Sequence, residues 1–74
     1  MIHVILRASE KINSLIPSFK RFLKSYELYV VTHEEEDSII ELVINTVAVD
    51  DIKRVNQLAI DFFSGELIRL KVDL

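Results

Sequence analysis

The sequence predicts an α+β domain: an antiparallel sheet with two helices on one face. Three observations lead there. Apolar residues alternate with polar ones near both ends of the chain and in its middle. Two other segments repeat apolar residues at spacings of three and four. A short acidic stretch separates two strand-like runs and leaves room only for a hairpin. The order is β-α-β-β-α, followed by a C-terminal segment that is either a continuation of the second helix or a fourth strand. With one Gly and one Pro among 74 residues, and no repeat, linker or low-complexity tract, residues 1–74 are expected to form a single domain.

The first strand covers residues 1–7, where Ile2, Val4 and Leu6 alternate with His3, Ile5 and Arg7. Residues 8–13 are a transition. The helix that follows carries Leu15, Ile16, Phe19, Phe22, Leu23 and Tyr26 as its stripe, with Lys20, Arg21 and Lys24 on the wet side. Ser9 or Ser14 caps it. Ser14 is the simpler choice, because Pro17 then falls in the first turn, where a missing N–H breaks no helical bond; with Ser9, Pro17 would kink the helix.

Residues 28–33, with Tyr29, Val30, Val31 and Thr32, read as the second strand. Glu34, Glu35, Glu36 and Asp37 make an acidic turn. Residues 38–49 form the longest strand-like run, Ile40, Leu42 and Ile44 facing one way and Ile39, Glu41, Val43 and Asn45 the other. Asp50 and Asp51 are N-cap candidates for a second helix with Ile52, Val55, Ala59, Phe62 and Phe63 on its inner side. Phe62 continues the stripe and is expected in the core, with Phe63 on the flank. Gly65 either ends this helix or lies inside it at a cost of about 1 kcal/mol relative to Ala. As a helix, residues 66–74 leave Ile68 and Val72 out of pattern. As a strand, only Leu67 is out of pattern, and Ile68, Leu70, Val72 and Leu74 alternate with Arg69, Lys71 and Asp73. The strand is favoured, and would complete a ferredoxin-like βαββαβ domain.

Composition narrows function mainly by exclusion. Nine Lys and Arg against twelve Asp and Glu give a net charge of −3, the wrong balance for a stand-alone nucleic-acid binder. The sheet also lacks the aromatics that would stack bases, Tyr29 apart. No Cys means no disulfide, thiolate metal site or Cys nucleophile. No run approaches the about 18 apolar residues of a membrane span, and no signal peptide is visible, so a cytoplasmic protein without membrane contact is expected. Ser9, Ser14, Ser18, Ser25, Ser38 and Ser64 lack a His or Asp in a nucleophile context, and a single Gly leaves no phosphate loop. His3, His33 and the acidic run have no ligand spacing that requires a metal. No enzyme activity, catalytic residue, cofactor or metal is therefore expected.

The positive signal is an apolar surplus. Ile5, Val31, Ile39 and Val43 fall on the sheet face opposite the helices, and Phe63, Leu67 and Ile68 add apolar surface near the C-terminus. Small domains often cover such surface by oligomerising. The expected interface set is Ile5, Val31, Val43, Phe63 and Leu67, and the expected partner is a second copy or a paralogue.

Residues 38–63, SIIELVINTVAVDDIKRVNQLAIDFF, carry a resemblance. A strand ends in Ala48-Val49-Asp50 and feeds directly into a helix with Val55, Ala59, Phe62 and Phe63 at apolar positions, and Asp61-Phe62-Phe63 forms a polar-aromatic-apolar run. This resembles the small dimerising subunit of the archaeal and eukaryotic KEOPS complex, the CTAG-type family. Asn56 and Ile60 depart from that family's usual Arg and Asn, as in a divergent paralogue. The resemblance implies a non-enzymatic subunit that pairs with itself or a paralogue. It also implies a larger complex, through a kinase-like or ATPase-like subunit that makes threonylcarbamoyladenosine, with tRNA contacted only through that complex. It further implies a last helix that continues to the chain end. The alternative is a ferredoxin-like regulatory or small-ligand domain that oligomerises through its sheet.

Overall fold

The structure is a computed structural model that describes residues 1–73. The elements are β1 (Ile2–Arg7), α1 (Glu10–Ser25), β2 (Val30–Glu36), β3 (Ile39–Ile44), α2 (Val49–Phe63) and β4 (Leu67–Val72). The sheet order is β2-β3-β1-β4, with every neighbouring pair antiparallel. Each helix connects two strands that have a third strand between them, the split arrangement of a ferredoxin-like domain.

Alternation decides which sheet face is covered. Ile2, Val4 and Leu6 of β1 and Ile40, Leu42 and Ile44 of β3 are fully buried. They meet Ile12, Ile16, Phe19 and Leu23 of α1 and Val55, Ala59 and Phe63 of α2 in one core. Phe19 and Phe63 meet edge to face, 4.8 Å between ring centres, and hold the two helices together over the sheet.

Four sequence-based expectations change in detail. Ser9, not Ser14, caps α1: its extended backbone precedes the helix and its Oγ accepts from the Ile12 N–H at 3.1 Å. Pro17 therefore lies inside α1, where it can offer no N–H to the carbonyl of Asn13. Burial of Ile16 and Phe19 on either side of Pro17 holds the chain in helix despite it. At α2 the N-cap is Ala48, with no side-chain bond, and Asp50 and Asp51 lie in the first turn, where their charge suits the helix N-terminus. Asp51 accepts from the Thr46 hydroxyl at 2.8 Å.

The acidic stretch is strand rather than turn. β2 runs through Glu36, and the hairpin closes on Asp37 and Ser38 alone, with φ of 53° and 64°. Two positive φ values are those of a type I′ turn, whose twist matches a tight hairpin. Phe62 and Phe63 exchange places. Phe63 is 1% exposed and belongs to the core, whereas Phe62 is half-buried and packs edge to face on the exposed Phe22, 5.4 Å between centres. Val55, Ala59 and Phe63 repeat every four residues, and that row, not the one through Phe62, points at the sheet.

The C-terminal segment is a strand. Gly65 has φ +97°, a conformation that ends the helix and that favours glycine. β4 then pairs with β1, with Val72 opposite Ile2 and Leu70 opposite Val4. Met1 and Asp73 close its far end, the Asp73 N–H donating to the Met1 carbonyl at 2.8 Å and the Met1 ammonium to the Asp73 carbonyl at 2.7 Å. A register shift near Leu6 lets Leu67 and Leu70 both pack against the core although three positions separate them, which accounts for the residue that a plain alternation leaves out. The predicted strand residue Leu74 lies outside the described residues.

Two substitutions test this packing. Pro17→Ala is expected to raise unfolding stability by about 1–3 kcal/mol, since Pro in a helix interior costs about 3 kcal/mol relative to Ala and part of that is returned by greater unfolded-chain freedom. A midpoint at or below wild type in urea would show that the first turns of α1 are not helical. Phe63→Ala is expected to cost about 3–5 kcal/mol, enough to unfold a domain only at the low end of ordinary stability, and Phe62→Ala distinctly less. Circular dichroism of the two variants reads the order directly, and a reversed order would refute the packing of α2 on the sheet.

Candidate functional site

Because the helices cover one face, the other face of the sheet is open. Strand pairing arranges its side chains in rows. One row runs Lys71, His3, Val43, Thr32 from β4 to β2, and the next runs Arg69, Ile5, Glu41, Glu34. A third holds Arg7, Ile39 and Glu36. The columns are sorted by charge. β4 presents Arg69 and Lys71, and β1 adds Arg7. β2 presents Glu34 and Glu36, and β3 adds Glu41. Ile5 of β1 and Val43 and Ile39 of β3 form an apolar triangle around Glu41. Ile39 is 37% exposed, whereas Val43 is only 7% exposed and sits flush between its neighbours. Ile5, Glu34, Glu36, Asp37, Ile39 and Glu41 line a shallow depression of about 350 Å³ at the acidic side.

His3 is clasped in the first row. Its Nδ1 lies 3.0 Å from Glu41 Oε2 and its Nε2 lies 2.9 Å from Asp73 Oδ2. A ring can donate to both carboxylates only when both nitrogens carry a proton. The two carboxylates lie on opposite ring nitrogens, so they tie β3 and the end of β4 to β1 rather than converge on one point. Among the described residues no group of three or more His, Asp or Glu is arranged to hold a metal ion.

His33 does not share this face. The shift between Val30 and Thr32 places Val31 and Thr32 together against Val43, and His33 then pairs with the buried Leu42. It lies at the helix side, where its Nδ1 is 3.0 Å from Lys20 Nζ of α1. The residue is exposed overall, yet partial burial of the ring lowers its pKa below 6.5; the Lys20 ammonium lowers it further and Glu35 opposes both.

Of the five expected interface residues, the structure brings Ile5 and Val43 together on the open face and puts the exposed Val31 at the bulge beside them. Phe63 is buried in the core, and Leu67 packs against the core from the helix side, so neither is available to a partner. The charged columns were not anticipated. The alternation of Arg69 and Lys71 with Leu70 and Val72 carries half of their signal, whereas an acidic turn gives Glu34 and Glu36 no face. The outer helix surface carries a second exposed group, Phe22 and Tyr26, with the Arg54 guanidinium 4.2 Å above the Tyr26 ring.

No family model matches the chain, and no curated protein or solved structure matches it. Among the described residues no helix is long and apolar enough to cross a membrane.

The His33 contact has a pH consequence. Folding disfavours the charged ring, so its contribution to stability is present above the unfolded value of 6.5 and is lost as pH falls below it. Urea midpoints taken from about pH 7 down to about pH 5 should therefore fall more steeply for wild type than for His33→Gln. Parallel slopes would mean that the ring is neither partly buried nor beside Lys20 in solution.

Proposed function

We propose that this chain is an association domain without catalytic activity of its own, and that it takes a protein partner, a second copy or a paralogue, across the open face of its sheet. The observation that supports this is the composition of that face: an apolar group of Ile5, Val43 and Ile39 on the two central strands, with a basic edge strand on one side and an acidic edge strand on the other. A solvated face needs no apolar centre, and a monomer gains nothing from gathering like charges on one strand.

A ferredoxin-like domain that oligomerises through its sheet is preferred to a KEOPS-type subunit. The Ala48-Val49-Asp50 junction does lead from β3 into α2 as the resemblance implies. The segment after α2 is strand β4, however, where that family continues its helix. A kinase-like or ATPase-like partner, and tRNA reached through it, therefore rest on residues 38–63 alone.

Sedimentation at about 100 µM chain tests the association face, a concentration that populates even weak pairs. Ile5→Glu places a second carboxylate beside Glu41 at the centre of the open face and is expected to weaken association at least about tenfold, since burying like charges side by side is costly. Lys53→Glu, on the outer surface of α2, is expected to leave it unchanged. Association insensitive to Ile5→Glu would overturn the proposal.

A further inference from the structure

Resting on the open-face association proposed above, we infer that the partner is a second copy of this chain, related by a two-fold axis that runs along the strands and lays β4 of each copy over β2 of the other. The charge columns select this arrangement. When two sheets pack face to face, the two-fold lies in the plane between them. An axis across the strands would put Arg69 over Arg69 and Glu34 over Glu34, stacking like charges at both edges. An axis along the strands exchanges left and right while keeping each row in place. Arg69 then stands over the partner copy's β2 at the row of Glu34, Lys71 lies next to it, and β1 covers β3, so that Ile5 comes down over Glu41 of the second copy, in the row between that copy's Val43 and Ile39. The depression bounded by Glu34, Glu36 and Glu41 lies where a basic side chain of the second copy arrives.

Edge-to-edge pairing does not compete. Two β2 edges would bring Glu34, Glu35 and Glu36 against each other, and two β4 edges would do the same with Arg69 and Lys71. Joining β4 to β2 edge to edge satisfies the charges, but it runs head to tail and closes no dimer. The face lies within the 30 × 22 × 20 Å extents of the molecule, which puts the pair at the small end of specific interfaces. The dimer is therefore weak and sensitive to salt.

Two charge-reversed chains provide the test: Arg69→Glu with Lys71→Glu, and Glu34→Lys with Glu36→Lys. All four positions are exposed, so both chains are expected to fold. Light scattering at about 100 µM and low salt should show wild type as a dimer and each reversed chain alone weakened at least about tenfold. A one-to-one mixture of the two should recover pairing to within about threefold of wild type, and about 0.5 M salt should weaken wild type and mixture alike. A mixture that pairs no better than its components, or reversed chains that pair like wild type, would overturn the inference. Ile5→Glu then separates the two levels. If it alone breaks the wild-type dimer, the open face stands and only the two-fold fails; if it too has no effect, the association face itself is refuted. A wild-type chain that is monomeric under these conditions rules out the second copy.

Discussion

The edge-to-face contact of Phe19 with Phe63 is the interaction on which the layered structure depends. A chain of 74 residues has only two helices to spread over four strands. They cover one sheet face only when packed side by side, and these two rings are the largest fully buried side chains at their junction. Aromatic pairs of this kind contribute about 0.5–1.5 kcal/mol beyond the area they bury, and the burial itself contributes more. With the helices held on one side, alternation leaves His3, Ile5, Glu41 and Val43 on the other. The open face is thus a consequence of the core, and its composition is free to serve something other than folding.

Much of the fold was legible because its signals are periodic. Strand β1 and the row Ile40, Leu42 and Ile44 follow directly from a spacing of two, and Ile16, Phe19 and Leu23 of α1 from spacings of three and four, whereas Phe22 and Tyr26 of the expected stripe are exposed and Ile12, outside it, is buried. Even the last strand could be read, since Gly65 marks the end of α2 and Arg69 and Lys71 alternate with Leu70 and Val72. Failures occurred where a local feature shifts the period by one. The bulge near Val31 moves His33 to the helix side, and the shift near Leu6 brings Leu67 and Leu70 to the same face. No residue type announces either bulge. A single-residue shift inverts every side chain beyond it, so a short edge strand is easily assigned to the wrong face. The exchange of Phe62 with Phe63 has a related origin: adjacent aromatics are about 100° apart on a helix, and only the sheet beneath decides which of them is inside.

The candidate site was half legible for the same reason. Apolar members of the open face could be named from alternation, whereas its charges could be placed only once Glu34 and Glu36 were known to be strand. Their position changes what they mean. In a hairpin turn four acidic residues are merely solvated. In β2 the alternate pair Glu34 and Glu36 joins Glu41 on one face, and Glu35 is left on the side that His33 and Lys20 occupy.

Magnitudes assign different tasks to the two components of this face. An exposed ion pair contributes about 0–1 kcal/mol and is screened by salt, so Arg69, Lys71, Glu34 and Glu36 cannot supply most of the affinity of a complex. Apolar area can, at about 25 cal/mol per Å², but Ile5, Val43 and Ile39 are non-directional and would accept many orientations. The charges discriminate among those orientations, because stacking like columns is penalised while crossing them is not. His3 contributes in a third way. It lies between Glu41 and Asp73, and this link from β3 across β1 to the end of β4 keeps the columns in register. A face organised in this manner is specific before it is strong, and its occupancy follows the concentration of its partner.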